Sequence, residues 1–233
     1  MINISDNIEL KKFVYSLVTT RPAADHSVEQ YLMSMDSYLT QLSLLSSVFL
    51  TSGSVYMVGD DDHFSPTFSK YLNLKPHVVE LDQRIIDSIK LFSEKNEINN
   101  IIIEQTDVAE KYEELVASEK EKYDYFYINP PYNSKNEAYG IKVWLSIVLS
   151  KIKVGGIGVL VLPITASLDW SIKNLFLVEK FLTQNNCVIV DIHKNKHFYE
   201  DVPDVGLCSS NIIINKIGNS EEIIPKIERN IYR

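Results

Sequence analysis

Tyr125-Phe126-Tyr127-Ile128-Asn129-Pro130-Pro131-Tyr132 decides how this chain is read. Four β-prone residues run into two prolines. Proline fixes its own φ and biases the residue before it toward extended geometry. The segment therefore reads as a strand ending in a rigid turn, with the Asn129 amide at its lip. In that shape the Asn129 side chain and the Pro130 carbonyl converge, and both accept hydrogen bonds from a substrate amino group. Tyr132 can stack on that group or wall it off. The chemistry implied is presentation of a nitrogen for alkylation. An isolated Pro-Pro commonly just ends a strand, so the upstream pattern has to give the turn its meaning.

Outward from this turn, short apolar runs alternate with helical periodicity. Strands are expected over 54–58, 77–81, 101–105, 123–128, 157–163, 187–192 and 211–215. Helices are expected over 6–19, 27–47, 65–72, 83–95, 108–120, 142–151 and 171–184, with a Gly155-Gly156 turn before the fifth strand. The strand runs are almost continuously apolar, as in parallel strands covered on both faces. The pattern is α/β, a doubly wound, mostly parallel Rossmann-like sheet. No long helix separates the last two strands, so they should form an antiparallel hairpin at the sheet edge. Residues 1–50 read as an N-terminal helical segment packed on 51–233, in one structural domain overall. The helix over 27–47 is apolar enough to pack on a second copy, so a homodimer is open.

Lys and Arg number 23 against 31 Asp and Glu, a net charge of −8. That balance argues against a protein that holds nucleic acid alone, and suits a small cationic substrate. No apolar run is long enough to span a membrane, and the N-terminus lacks a basic-then-apolar signal pattern. A cytoplasmic protein without membrane contact is expected. Cys187 and Cys208 form no metal-ligand pattern and read as free thiols.

Doubly wound sheets bind ligands at the carboxyl ends of their strands. Gly59-Asp60-Asp61-Asp62, Glu80-Leu81-Asp82, Thr106-Asp107 and the Asn129–Tyr132 turn all fall at such ends. Glu80, with Asp82 second, can accept both ribose hydroxyl protons of a nucleoside. Asp107 can accept from an adenine amino group. In series they read as the site of an adenosine-containing cofactor. The first loop keeps only Gly59 beside three aspartates, which repel a ligand carboxylate and attract an ammonium. One of the three can cap the helix that follows. No further carboxylate or histidine is spaced to complete a metal site, so no metal is expected.

These segments resemble the class I S-adenosylmethionine-dependent methyltransferase superfamily. Asn129-Pro130-Pro131-Tyr132 looks like the motif of its amino-group methyltransferases. A closer resemblance, over about residues 21–165, is to the branched-chain polyamine synthases, the N(4)-bis(aminopropyl)spermidine synthases. That family carries Arg-Pro and then Asp-Gln, where this chain has Arg21-Pro22 and Glu29-Gln30. Its Gly-Asp-Asp-Asp is matched by Gly59 to Asp62, and its acidic strand end by Glu80-Leu81-Asp82-Gln83-Arg84. Its Asp-Pro-Pro becomes Asn129-Pro130-Pro131.

The resemblance implies aminopropyl transfer from decarboxylated S-adenosylmethionine to a polyamine. Asn129 and Pro130 would orient the nitrogen and Tyr132 would pack on the acceptor. Asp61 or Asp62 would act as base, with Gly59, Asp60, Glu80, Asp82, Asp107 and Asn129 around the cofactor. Arg21, Gln30, Pro131 and Tyr139 are candidate substrate contacts, Arg21 alternatively a clamp on the N-terminal helices. Trp144 reads as core or as a pocket wall. The alternative is S-adenosylmethionine-dependent N-methylation of adenine or a protein amide, although no separate nucleic-acid recognition domain is visible. A third reading is an inactive cofactor-binding or regulatory module. His193, Lys194, Lys196 and His197 read as a basic loop, contacting the acceptor or simply solvated.

Overall fold

The computed structural model describes residues 7–50, 52–118, 122–132, 137–200, 207–221, 223–224, 226–227 and 230–231. Strands β1 (Gly53–Val58), β2 (Leu74–Glu80), β3 (Ile102–Gln105), β4 (Tyr123–Ile128) and β5 (Ile152–Pro163) are parallel. β6 (Cys187–Phe198) and β7 (Cys208–Lys216) complete one sheet, ordered β3-β2-β1-β4-β5-β7-β6. β7 is antiparallel to both β5 and β6, which is the edge hairpin the sequence implies.

Side chains on a strand alternate between its faces, and here both faces are covered. Tyr56, Val58, Phe126 and Ile128 join a core with α5 (Tyr112–Ala117), α6 (Tyr139–Lys151) and α7 (Asp169–Gln184). Val55, Met57, Tyr125 and Tyr127 point the other way. They pack with α1 (Ile8–Val18), α2 (Met35–Val48), α3 (Phe64–Leu72) and residues of α4 (Gln83–Lys95). At one point the seam between strands is tight: a Cβ on Gly158 would lie 1.9 Å from the Phe126 ring. From β1 the chain winds outward to β2 and β3, then returns to β4 on the other side. The crevice at the carboxyl ends of β1 and β4 is thus the topological switch point.

Four expectations need correction. The helix expected over 27–47 begins only at Met35. Glu29 has a left-handed φ of 60°, and residues 32–34 run extended, exchanging backbone hydrogen bonds with residues 198–200. Apolar spacing persisted there, but tertiary pairing overrode it. The buried face of α2, with Tyr38, Leu42 and Leu45, packs against the core of this chain.

The helix expected over 108–120 is reduced to Tyr112–Ala117, because Asp107 holds a turn at its start. Glu119 and Lys120, like Asp6 at the start of the first expected helix, lie outside the described residues. The Gly155-Gly156 turn is instead an irregularity within a longer β5, whose register with β4 shifts there. The basic loop is no loop: His193 to His197 belong to β6, and His197 is fully buried. Among the described residues, no helix is long and apolar enough to cross a membrane.

Candidate active site

β1 ends at Val58, and Gly59 turns the chain with φ 71°. A Cβ there would meet the Trp144 ring at 2.9 Å, so the turn keeps a cradle between backbone and indole that only glycine leaves open. The residues that follow line an open cleft with Glu29, Gln30, Glu80, Thr106, Asn129 and Trp144.

The three aspartates divide into three roles. Asp60 caps α3, accepting the Phe64 N–H at 2.6 Å and the Ser65 N–H at 3.0 Å. Burial pushes its pKa up to about 8, against the lowering by those N–H groups. Asp62 takes the Arg21 Nη1 at 2.7 Å and the Met33 N–H at 2.8 Å on one oxygen. Burial raises it to about 6, opposed chiefly by the Arg21 charge. The Asp61 carboxylate has no hydrogen bond or ion pair among the described residues. Burial, and then the Asp62, Glu80 and Asp60 charges, push its pKa well up.

Glu80, at the end of β2, accepts the Asp60 N–H at 2.8 Å and the Asp82 N–H at 2.9 Å, one on each oxygen. It ties two strand-end loops together, and a second lone pair on each oxygen can still accept from a ligand. Asp82 does not line the cavity. It caps α4 through the Arg84 N–H at 2.9 Å and pairs with the Arg84 guanidinium. Asp107 also stands back, holding the Ala109 N–H at 2.7 Å, while Thr106 and Val108 face the cavity. Asp82 serves as a helix cap and Asp107 holds a local turn.

Asn129 and Pro131 line the cavity as expected. Pro130 and Tyr132 instead line a smaller neighbouring cavity. The Tyr132 hydroxyl donates to Tyr199 Oη at 2.8 Å, and its ring lies parallel to Trp170 at 6.2 Å. Tyr199 Oη in turn meets Ser209 Oγ at 2.8 Å and reaches Asn129 Oδ1 at 3.5 Å. Tyr139 lines neither cavity; it is buried in the core and its hydroxyl donates to the Lys226 carbonyl. Trp144 is both core and wall.

Arg21 clamps: besides Asp62 it donates to the Met33 carbonyl at 2.9 Å and lies 3.8 Å from Glu200. Gln30 bonds Asp25 N–H at 2.8 Å and Asp82 at 3.2 Å, and faces the cavity. Sequence reasoning missed Tyr31, Tyr199 and Ser209 as site residues, and met Glu29 only as part of a motif. His197, read from the sequence as part of a basic loop, is instead buried with its Nε2 3.8 Å from Asp62 Oδ2, and neither ring nitrogen is hydrogen-bonded among the described residues.

The residues fit an adenosylated sulfonium donor. Gly59 lets the backbone lie against the Trp144 ring where a Cβ would clash, the Trp144 Nε1 is a buried donor without a partner among the described residues, and five lining carboxylates, Glu29, Asp60, Asp61, Asp62 and Glu80, suit a cation. Arg21 counters Asp62 directly, lies near Glu200 and also lowers the Asp61 pKa at longer range.

Comparison with solved structures places the fold. The branched-chain polyamine synthase of Thermus thermophilus, in complex with N4-aminopropylspermidine and 5′-methylthioadenosine, aligns with a TM-score of 0.76. It shares 16% identity, over 95% of this chain and 67% of that one. A proposed RNA methyltransferase of Pyrococcus horikoshii aligns at TM-score 0.63 and 16% identity, over 90% of this chain and 98% of that one. TrmN of Thermus thermophilus aligns at 0.52 and 13% identity, over 77% and 48%. At such identities these likenesses speak for the methyltransferase-type fold. No curated protein matches the chain in sequence. The sequence profile of the branched-chain polyamine synthase A C-terminal domain matches residues 9–221. With that match over nearly its whole length, this chain belongs to the branched-chain polyamine synthase A C-terminal domain family.

Proposed function

We propose that the chain transfers an aminopropyl group from decarboxylated S-adenosylmethionine to an amine nitrogen of a polyamine. The observation that carries this reading is Asp61, a half-buried carboxylate with no hydrogen-bond or ion-pair partner among the described residues, beside two neighbours that are already engaged. Gly59, Asp60, Glu80, Thr106 and Trp144 surround the donor, which when bound supplies a carbon made electrophilic by its sulfonium. Decarboxylation leaves that donor doubly cationic. A donor that kept its carboxylate would bring another acid among Asp60, Asp61, Asp62 and Glu80, whose pKa values burial and mutual repulsion already push up.

A polyamine nitrogen arrives protonated and must lose a proton before it can attack. Asp61, held well above the usual carboxylate range, is suited to take it. Asn129 Oδ1 and the Pro130 carbonyl hold the amine N–H groups in line, and the Tyr199 hydroxyl steadies the Asn129 amide. Asp60 and Asp62 serve shape: one fixes α3, the other fixes the 21–33 segment. Residues 1–50 are read as part of the same domain as 51–233, since α1 and α2 share a core with β1. The free thiols of Cys187 and Cys208 support a cytosolic setting.

The test is calorimetric titration with S-adenosylmethionine and with its decarboxylated form, followed by mass spectrometry of products formed from spermidine. The decarboxylated donor is expected to bind tighter by roughly tenfold or more. Tighter binding of S-adenosylmethionine, with methylated products, would replace this reading by N-methylation. Asp61→Asn should lower kcat roughly 10²- to 10⁴-fold. Its thermal midpoint should not fall, because the carboxylate holds no protein group.

A further inference from the structure

Across Asn129 and Pro131 from the donor cavity lies the smaller, narrow one. Glu29, Tyr31, Tyr132 and Tyr199 form its walls, and Glu29, Asn129 and Pro131 line both cavities. The two spaces therefore meet at the acceptor turn. Carboxyl groups flank that turn, with Asp61 on the donor side and Glu29 where the spaces join. Asn129 itself contributes an uncharged amide.

Glu29 is held in place. Its φ of 60° is unfavourable for a residue with a side chain. The turn is kept by Gln30, whose N–H donates to the Asp25 carbonyl at 3.2 Å and whose side chain ties Asp25 to Asp82. The carboxylate is close enough to Tyr132 to add to the rise that burial causes in its phenol. The aromatic walls are equally fixed. Tyr31 stacks on His26 at 5.1 Å and meets the Tyr199 ring edge-on at 6.3 Å. Tyr199 is pinned through its hydroxyl by Ser209 and Tyr132. A carboxylate beside immobilised aromatic faces attracts an organic ammonium by ion pairing and by the ring quadrupole together.

We propose that Glu29, with the rings of Tyr31 and Tyr199, anchors a second protonated nitrogen of the acceptor while another nitrogen reacts at Asn129. The site thereby selects a linear polyamine over a monoamine. This rests on the amine-alkylating reading above. It assigns specificity to the smaller cavity and the proton transfer to the larger one.

The experiment compares wild type with Glu29→Gln and Glu29→Asp, using spermidine and n-butylamine as acceptors. Glu29→Gln is expected to lower the preference for spermidine, as a ratio of kcat/KM values, by roughly 10- to 100-fold. Glu29→Asp should recover part of it. Direct calorimetry of spermidine binding, with 5′-methylthioadenosine present, should show the same loss without reliance on turnover. An equal fall for both amines would overturn the anchor, as would unchanged spermidine affinity. If no variant alkylates any amine, the amine-alkylating reading fails; calorimetry still decides the anchor, by whether Glu29→Gln weakens spermidine.

Discussion

Asp60, Asp61 and Asp62 are chemically alike and adjacent, and only their surroundings separate them. That one of them would cap α3 was readable, since an acidic residue ahead of a helix stabilises its first turn. Which one could not be read, because the choice depends on where Arg21 and Met33 arrive from 29 or more residues away. Arg21 itself, left between ligand contact and clamp by the sequence, is the clamp: its side chain is 2% exposed and ends on Asp62. Arg21→Met should strand a buried carboxylate and destabilise the protein by roughly 3–5 kcal/mol, read as a shift in the urea midpoint. Adding Asp62→Asn should recover part of that loss, since no charge is then left alone. An additive double mutant would mean that the two side chains are not coupled.

Elements were legible where local pattern and tertiary demand agreed. The helix over 83–95 and the strand over 123–128 stand as the sequence implied. Both carry clear periodicity, and Asp82 marks the helix start as a cap. Pattern failed where distant chain intervened. Residues 27–34 have apolar spacing fit for a helix, yet only His26–Val28 form a short 3-10 turn, and 32–34 are drawn out to pair with 198–200. The β6 strand runs past its expected end because His197 and Phe198 pair with Ser209 and Cys208. The β4–β5 seam offers a direct check on packing. Gly158→Ala would drive a methyl into the Phe126 ring, and overpacking of this kind costs roughly 1–3 kcal/mol. Thermal unfolding should show the loss, and the paired variant with Phe126→Leu should regain some of it. A neutral Gly158→Ala would mean that the seam has slack.

At the scale of the whole molecule, buried titratable groups set opposing pH limbs. Asp60 and Asp62 rise to about 8 and about 6 from 3.8. Between those values the unfolded chain holds fewer of these protons, so stability falls as pH climbs from about 4 to about 8. His63 and His197 are lowered by burial to about 4 and about 3 from 6.5. Below 6.5 the unfolded chain takes up protons that the folded one refuses, so stability also falls on acidification. Thermal midpoints measured from pH 4 to 9 should peak near pH ~6. A midpoint that climbs steadily to pH 8 would contradict the carboxylate limb. The donor side of the site was visible in the sequence because its residues recur at successive strand ends. The acceptor side was not, because Tyr31 and Tyr199 share no local pattern and meet only in the fold. That asymmetry has a consequence in time. Every wall of the donor cavity is encoded before residue 145, whereas the acceptor cavity needs Tyr199. As the chain leaves the ribosome, the acceptor cavity closes last, and the step that closes it joins residues 32–34 to 198–200 across the longest loop in the site.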